Sequence, residues 1–221
     1  MRTKILVYLA VWKRPEITEL CFHGIKRLKQ HPDFEIEAMA VISEIEMVPL
    51  CEKHGIHWVM TENDFLGRKK NFGLKACKEF EFDFLMEIGS DDLVLNCLLN
   101  DYKKFFAKYD FFGVREMAFY DSQTGACRRW SSASTYGAGR IISRKALELV
   151  GWKLWNDSQR RGLDNYSIIQ LHKKGIRYWQ VPTKDYPQVM DVKSETNLWK
   201  MNYEVGTDYD PEEFFEKLSE P

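Results

Sequence analysis

The sequence predicts an α/β fold: a mostly parallel central sheet flanked by helices, with a small antiparallel addition in the second half. Three observations carry this. Short apolar runs alternate with helical periodicities four times over residues 1–108, a pattern that calls for parallel strands joined by right-handed crossovers. Beyond that point short strands are joined by the polar turn Asp121-Ser122-Gln123-Thr124-Gly125, as in an antiparallel pair. The apolar run Phe82–Ile88 ends abruptly in Gly89-Ser90 and two adjacent carboxylates, Asp91 and Asp92. That places the carboxylates at the carboxyl end of a buried strand, where open α/β sheets bind their ligands.

Each element has its own signal. Lys4 to Trp12 reads as a buried strand, and Pro15 then occupies the first position of a helix whose apolar residues Ile17, Leu20, Cys21, Ile25 and Leu28 recur at helical spacing. Glu35–Ile42 is a second strand, Met47–His54 a helix closed by Gly55, and Ile56–Met60 a third strand. A helix over Lys70–Glu79 leads into the strand carrying the Asp pair, and Leu93–Lys108 is helical, with Leu95, Leu98, Leu99, Tyr102 and Phe106 facing inward. Phe111–Tyr120 and Ala126–Trp130 are strands, Arg144–Val150 and Leu163–Lys173 helices, and Arg177–Val181 a last strand after Gly175. Asp210-Pro211-Glu212-Glu213 starts a final helix, with Asp210 as N-cap and Glu213 closing a capping box.

Bulk properties narrow the function classes. At 221 residues, 44% hydrophobic and 29% charged, the chain fits one folded domain with a real core. A net charge of −1 gives no overall drive toward nucleic acid or anionic membrane. The five cysteines are widely spaced and form no C-x-x-C pair, which argues against a zinc site built on them and for a reduced, cytoplasmic setting. No apolar run approaches the length of a membrane span.

The chemistry-bearing residues converge on phosphate and metal. Two hard oxygen ligands in one turn, Asp91 and Asp92, suit Mg²⁺ or Mn²⁺, which commonly completes its shell with substrate phosphates. The plainer alternative is that Ser90 and Asp91 turn the chain and Asp92 caps a helix from Leu93. Arg14 and Pro15 lie where the first strand meets a helix N-terminus, a place suited to an anion. Arg68-Lys69-Lys70 is either an exposed charge run or a diphosphate contact. Trp130, Trp152, Trp155 and Trp179 fall in the second half, where indole faces either bind a sugar ring or fill the core.

The order of these motifs resembles the GT-A glycosyltransferases related to glycosyltransferase family 2. The residues that carry the likeness are Val11-Trp12-Lys13-Arg14-Pro15-Glu16, then Arg68-Lys69-Lys70-Asn71-Phe72-Gly73, then Gly89-Ser90-Asp91-Asp92, and finally Tyr136-Gly137-Ala138-Gly139-Arg140 with Gly162-Leu163-Asp164-Asn165. Two positions depart from the family. Gly89 stands where its metal motif has an acid, and the second strand ends Val41-Ile42-Ser43-Glu44 without the Asp that reads the base. The family's C-terminal metal-binding His is also missing, since no His follows His172; Asp191 or Lys193 could do related work.

The resemblance implies a single Rossmann-like nucleotide-diphospho-sugar transferase domain over 1–221: a donor-binding half (1–108), an acceptor-binding half (109–182) and a C-terminal extension (183–221). It implies transfer of a sugar from a nucleoside-diphosphate donor to a hydroxyl of a glycan or a modified nucleic-acid base, by inversion and with Mn²⁺ or Mg²⁺. Val11, Arg14, Ser43, Arg68, Lys70, Asn71, Ser90, Asp91 and Lys193 would then hold the donor, Asp91 and Asp92 the metal, and Trp130, Gly139 and Trp155 the acceptor, with Asp164 as catalytic base. A nucleotidyltransferase is the first rival, but Val11-Trp12-Lys13-Arg14 lacks the glycine such a loop needs; a silent nucleotide-sugar-binding protein is the second, favoured by Gly89.

Overall fold

In a computed structural model that describes all residues except 1, 183, 196, 198–200, 202, 220 and 221, strand β1 (Thr3–Ala10) is the axis about which the molecule is built. Its side chains alternate between two apolar clusters. Ile5, Val7 and Leu9 face one, with Cys21, Phe22, Ile25 and Leu28 of helix α1 (Pro15–Leu28). Leu6 and Tyr8 face the other, with Leu74 of α3 (Leu66–Ala76). A strand buried on both faces reads as a continuous apolar run because no side of it meets water. Leu20, expected on the inner face of α1, is exposed; Thr18 is buried instead.

The main sheet continues through β2 (Phe34–Ile42), β3 (His57–Met60), β4 (Phe84–Gly89), β6 (Phe111–Val114), β9 (Arg140–Ser143) and β10 (Trp179–Val181), in the order β10-β6-β9-β4-β1-β2-β3. All run parallel to β1 except β9, which is inserted antiparallel between β4 and β6. Helices α1, α2 (Val48–Lys53) and α4 (Cys97–Phe106) cover one face; α3, α5 (Arg144–Leu149) and α6 (Leu163–Lys173) cover the other. The expected alternation of strands and helices is therefore present.

A second sheet, β12-β8-β7-β11-β5, is formed by β5 (Asp92–Val94), β7 (Glu116–Asp121), β8 (Cys127–Ser131), β11 (Val189–Lys193) and β12 (Thr207–Asp208), with Phe214 of α7 (Pro211–Ser219) on its own small core. This overturns two expectations. The helix after the Asp pair begins at Cys97, not Leu93, so Asp92 opens a strand instead of capping a helix. The run expected as one strand over Phe111–Tyr120 is two strands on different sheets. Asp210 does hold the start of α7, accepting from Glu212 N at 3.0 Å.

One buried charge cluster joins these parts. Glu87, in the middle of β4, is paired in register with Arg140 of β9 and accepts from Arg140 Nε at 3.1 Å and Nη2 at 2.5 Å, while Lys70 of α3 reaches its other oxygen. Burial opposes ionisation of Glu87, but the two cations outweigh it and hold the carboxyl below its ordinary value of 4.5. Removing one partner of a buried pair leaves the other uncompensated, so Arg140→Leu should lower stability by about 3–5 kcal/mol, read as a fall in the urea midpoint. A depressed folded pKa stabilises above the unfolded value and is lost as pH falls through the folded one. Glu87→Gln should therefore flatten the acid limb of the stability–pH profile, measured by urea titrations between pH 3 and 6 (about the range spanned by carboxyl titration).

Candidate active site

Parallel strands bring their carboxyl ends to one edge. Register pairs Ala10 with Val41 and with Gly89, so the turns after β1, β2 and β4 open side by side. The chain leaves β4 at Gly89 and enters β5 at Asp92, changing sheets across Ser90-Asp91. Asp91 O accepts from Val192 N at 2.8 Å, and Asp92 lies opposite Asp191 in the β5–β11 ladder. Oxygens of Asp91, Asp92 and Asp191 lie within 4.8 Å of one another.

Like charges directly opposite on paired strands repel. Here burial first, then Asp191 and Asp91, push Asp92 well above the ordinary carboxyl range. Asp191 is raised to about 7, by burial first and Asp91 second, against the pull of Lys193 and Arg14. The Asp191 Oδ1 atom is buried without a hydrogen-bond partner. Three hard oxygen donors, one of them orphaned, fit a divalent cation of the Mg²⁺ or Mn²⁺ class.

Gly89 explains why the third carboxylate comes from a distant strand. A Cβ there would lie 2.8 Å from Asp92 Oδ2 and 2.9 Å from Asp91 Oδ1. The space a side chain at 89 would occupy is filled by these two carboxylates, and Asp92 accepts from Gly89 N across it.

Arg14 closes the site from the β1 side. Its guanidinium (14% exposed) donates to Asp91 Oδ2 at 2.9 Å, to Asn197 Oδ1 at 2.8 Å and to Ser90 Oγ at 3.4 Å. Asn197 donates in turn to Asp91 Oδ2 at 2.7 Å. Lys193, at the end of β11, donates to Asp191. At the end of β2, Ser43 Oγ and Glu44 Oε2 are buried without partners. Arg14, Ser43, Ser90, Asp91, Asp92 and Lys193 thus come together at the β1–β2–β4 edge or the adjoining end of β11.

Other expected residues do not join them. Three successive helical residues point about 100° apart, and the basic run is already inside α3. Arg68 is out in solvent, paired with Asp64, and Lys70 is committed to Glu87 with its ammonium 4.2 Å from the Trp155 ring. It is Lys69, fully buried and bonded to Val11 O, that reaches the sheet edge. Burial first, offset by Glu44, lowers its pKa to about 8. Val11 itself frames the edge, its N–H bonded to Val41 O at 2.9 Å and its side chain buried.

Asn71 is spent on structure. It donates to Trp155 O and Asp157 Oδ1 and accepts from Leu154 N and Trp155 N, which uses its whole hydrogen-bonding capacity on the 154–157 loop. Trp155 is fully buried against Tyr8 (ring centroids 6.0 Å apart) and offers no face to an acceptor. Gly139 is also core: its φ of 73° and a would-be Cβ contact of 3.3 Å with Leu98 make it the turn into β9 beneath α4. Trp130 is half-buried on Phe119 (4.7 Å).

Asp164 is in the first turn of α6, whose N-cap is Gly162, so capping is not its task. It is 46% exposed, accepts from Gly137 N at 3.1 Å and sits 3.7 Å from Arg140 Nη2. The carboxylate is thereby tied through Arg140 and Glu87 to the same strand that presents Asp91.

No family model matches the chain, and no curated protein matches it by sequence. Solved structures do. A mannosyltransferase from Pyrobaculum calidifontis, in complex with GDP-Man and Mn²⁺, superposes with a TM-score of 0.59 at 17% identity, over 87% of this chain and 57% of that one. The chain has the GT-A fold. TarS (1–349) of S. aureus in complex with UDP gives 0.55 at 15% identity, over 97% of this chain and 63% of that one. The catalytic domain of Drosophila β1,4-galactosyltransferase 7 gives 0.58 at 9% identity, over 91% of this chain and 77% of that one. The chain thus spans about three fifths of the length of the mannosyltransferase and TarS structures.

The carboxylate trio has a consequence for stability that changes sign with added cation. A carboxyl whose folded pKa is raised stabilises fully below its unfolded value, and this is lost as pH rises through the folded value. For Asp191 that window runs from 3.8 to about 7. Asp191→Asn should therefore leave the cation-free protein as stable as wild type, or more stable, at pH 8, and should show no rise in melting temperature on addition of Mn²⁺, where the wild type is expected to show one. Thermal melts with chelator and with Mn²⁺ measure both effects.

Proposed function

We propose that the protein is a metal-dependent glycosyltransferase that moves a sugar from a nucleoside-diphosphate donor to an acceptor hydroxyl. The observation that carries this is the convergence of Asp91, Asp92 and Asp191 with Arg14 at the carboxyl edge of the main sheet, in a fold whose solved relatives bind GDP-Man with Mn²⁺, or UDP. Asp191 offers the acid that Gly89 lacks, which supports this reading over a silent binding protein.

Asp91, Asp92 and Asp191 would hold Mn²⁺ or Mg²⁺, which supplies charge stabilisation to the departing diphosphate. Arg14 and Lys193 stand beside these carboxylates, where they can meet the negative charge that develops as the glycosidic bond breaks. The sugar becomes oxocarbenium-like in that step, as in glycoside hydrolysis. Ser43, Glu44 and Lys69 form the nucleoside end of the donor site, Ser43 and Glu44 having unpartnered oxygens to offer. Donor binding thus draws on 1–108 and on β11 of the extension, leaving Trp130 and Asp164 on the acceptor side.

Asp164 is the base: exposed, held by Gly137 and Arg140, and suited to take the acceptor's proton in a single inverting displacement. The acceptor is a glycan or glycoconjugate, with a modified nucleic-acid base as the other substrate of this class. None of the described helices is long and apolar enough to cross a membrane, and Cys21, Cys51, Cys77, Cys97 and Cys127 are unpaired, in keeping with the cytoplasm.

A panel of nucleoside-diphosphate sugars, with and without Mn²⁺, tests the reading through release of free nucleoside diphosphate. Asp91→Asn should eliminate metal-dependent donor binding and turnover with the fold intact. Asp164→Asn should bind donor normally and lose about 10²–10⁴-fold in kcat. A fully active Asp164→Asn enzyme would remove the proposed base.

A further inference from the structure

A different group of ligating side chains lies on the outer side of α1, away from the carboxylate trio. Glu19 and His23 are four residues apart and so share one face of that helix. His54, the C-cap of α2, reaches the same place, its ring edge-on to that of His23 with centroids 4.7 Å apart and planes at 85°. Ligand atoms of the three residues lie within 4.8 Å of one another.

His54 is the unusual member. Its side chain is only 4% exposed, yet Nε2 has no hydrogen-bond partner. Glu19 Oε1 lies 3.5 Å away without the alignment of a hydrogen bond. A buried imidazole nitrogen is normally satisfied, and here it is aimed at a carboxylate and a second imidazole.

We propose that Glu19, His23 and His54 form a second cation site, for a divalent transition ion of the zinc class, that clamps α1 to the end of α2. Two imidazole nitrogens and one carboxylate oxygen are a donor set that zinc accepts, with a water completing four-coordination. The same set suits Mg²⁺ poorly, whereas the all-oxygen trio at Asp91 suits it well, so the chain carries two sites of different chemical softness. Lys53 now shares Glu19 Oε1 at 2.5 Å, but its side chain is 63% exposed and free to swing into solvent. The ion would brace the helix that leads from the Arg14 turn: α1 begins there, and Glu19 lies about 7.5 Å along the helix from it at 1.5 Å per residue.

The test is Zn²⁺ binding to the chelator-stripped full chain in excess Mg²⁺, followed by calorimetry and, with Co²⁺ as a spectroscopic substitute, by visible absorption of imidazole-ligated cobalt. One equivalent of Zn²⁺ is expected. His23→Ala, which alters an exposed ring, should weaken binding by at least about tenfold, and Glu19→Gln should do likewise. Asp91→Asn should leave it unchanged. Absence of Zn²⁺ binding by the wild type, undiminished binding by His23→Ala, or loss of binding in Asp91→Asn in place of His23→Ala would each overturn the proposal.

Discussion

The Glu87–Arg140–Lys70 cluster is the constraint on which the rest of the structure depends. An acid buried in the centre of a parallel sheet is tolerable only with its charge matched and its oxygens bonded. Arg140 meets that requirement only if β9 lies beside β4 in the observed register, and Lys70 only if α3 crosses the face to which Glu87 points at the observed height. One carboxylate therefore fixes the place of an antiparallel strand, a helix and, through the contact of Arg140 with Asp164, the start of α6. Apolar packing alone would allow β9 to slip by two residues; a buried ion pair does not.

The same strand then carries its chain into the second sheet, and this corner governs the site. Gly89 lacks a side chain, so Asp91 and Asp92 fold back over it. Antiparallel pairing of β5 with β11 delivers Asp191 to the third position. The donor set is thus assembled from residues a hundred apart in sequence, and its repulsion is contained by Arg14, Asn197 and Lys193. On the proposed function, a position that reads as a loss in a linear motif is, in three dimensions, an exchange of one carboxylate for another.

What the sequence made legible follows from the range of the forces involved. Strands β1 to β4 and their helices announce themselves through local periodicity, Pro15 at a helix start and Gly55 and Gly175 at positive φ. Helix α6 falls on its expected residues, Leu163–Lys173. Strands β5, β9, β11 and β12 are two to five residues long and exist only through distant partners, so no local pattern marks them. The same holds for side-chain direction. Among Arg68, Lys69 and Lys70 composition cannot choose, whereas helical geometry sends one to solvent, one to the sheet edge and one to Glu87. The family resemblance puts Asn71, Gly139 and Trp155 at the substrate, with an indole face as added reason for Trp155; each is instead spent on the core that supports the site. Glu87, a lone acid inside the run Phe84–Gly89, was the readable signal of that core.

Backbone conformation at the β1–α1 turn points to the same division between support and site. Lys13 and Arg14 both have positive φ, 54° and 53°, although neither is glycine. Each such residue costs about 1–3 kcal/mol and persists only where surrounding contacts hold it. Pro15 contributes, since the right-handed helical region is disfavoured for the residue before a proline. It does not choose the left-handed alternative over an extended one. The bonds of Arg14 to Asp91, Asn197 and Ser90 make that choice, because they require the guanidinium to turn back across the end of β4. The strain at Arg14 is therefore coupled to the charge on Asp91. On the proposed function, Asp91 would hold the ion as well as anchor Arg14, so the carboxylate that maintains the turn is also one that would meet the donor's cation.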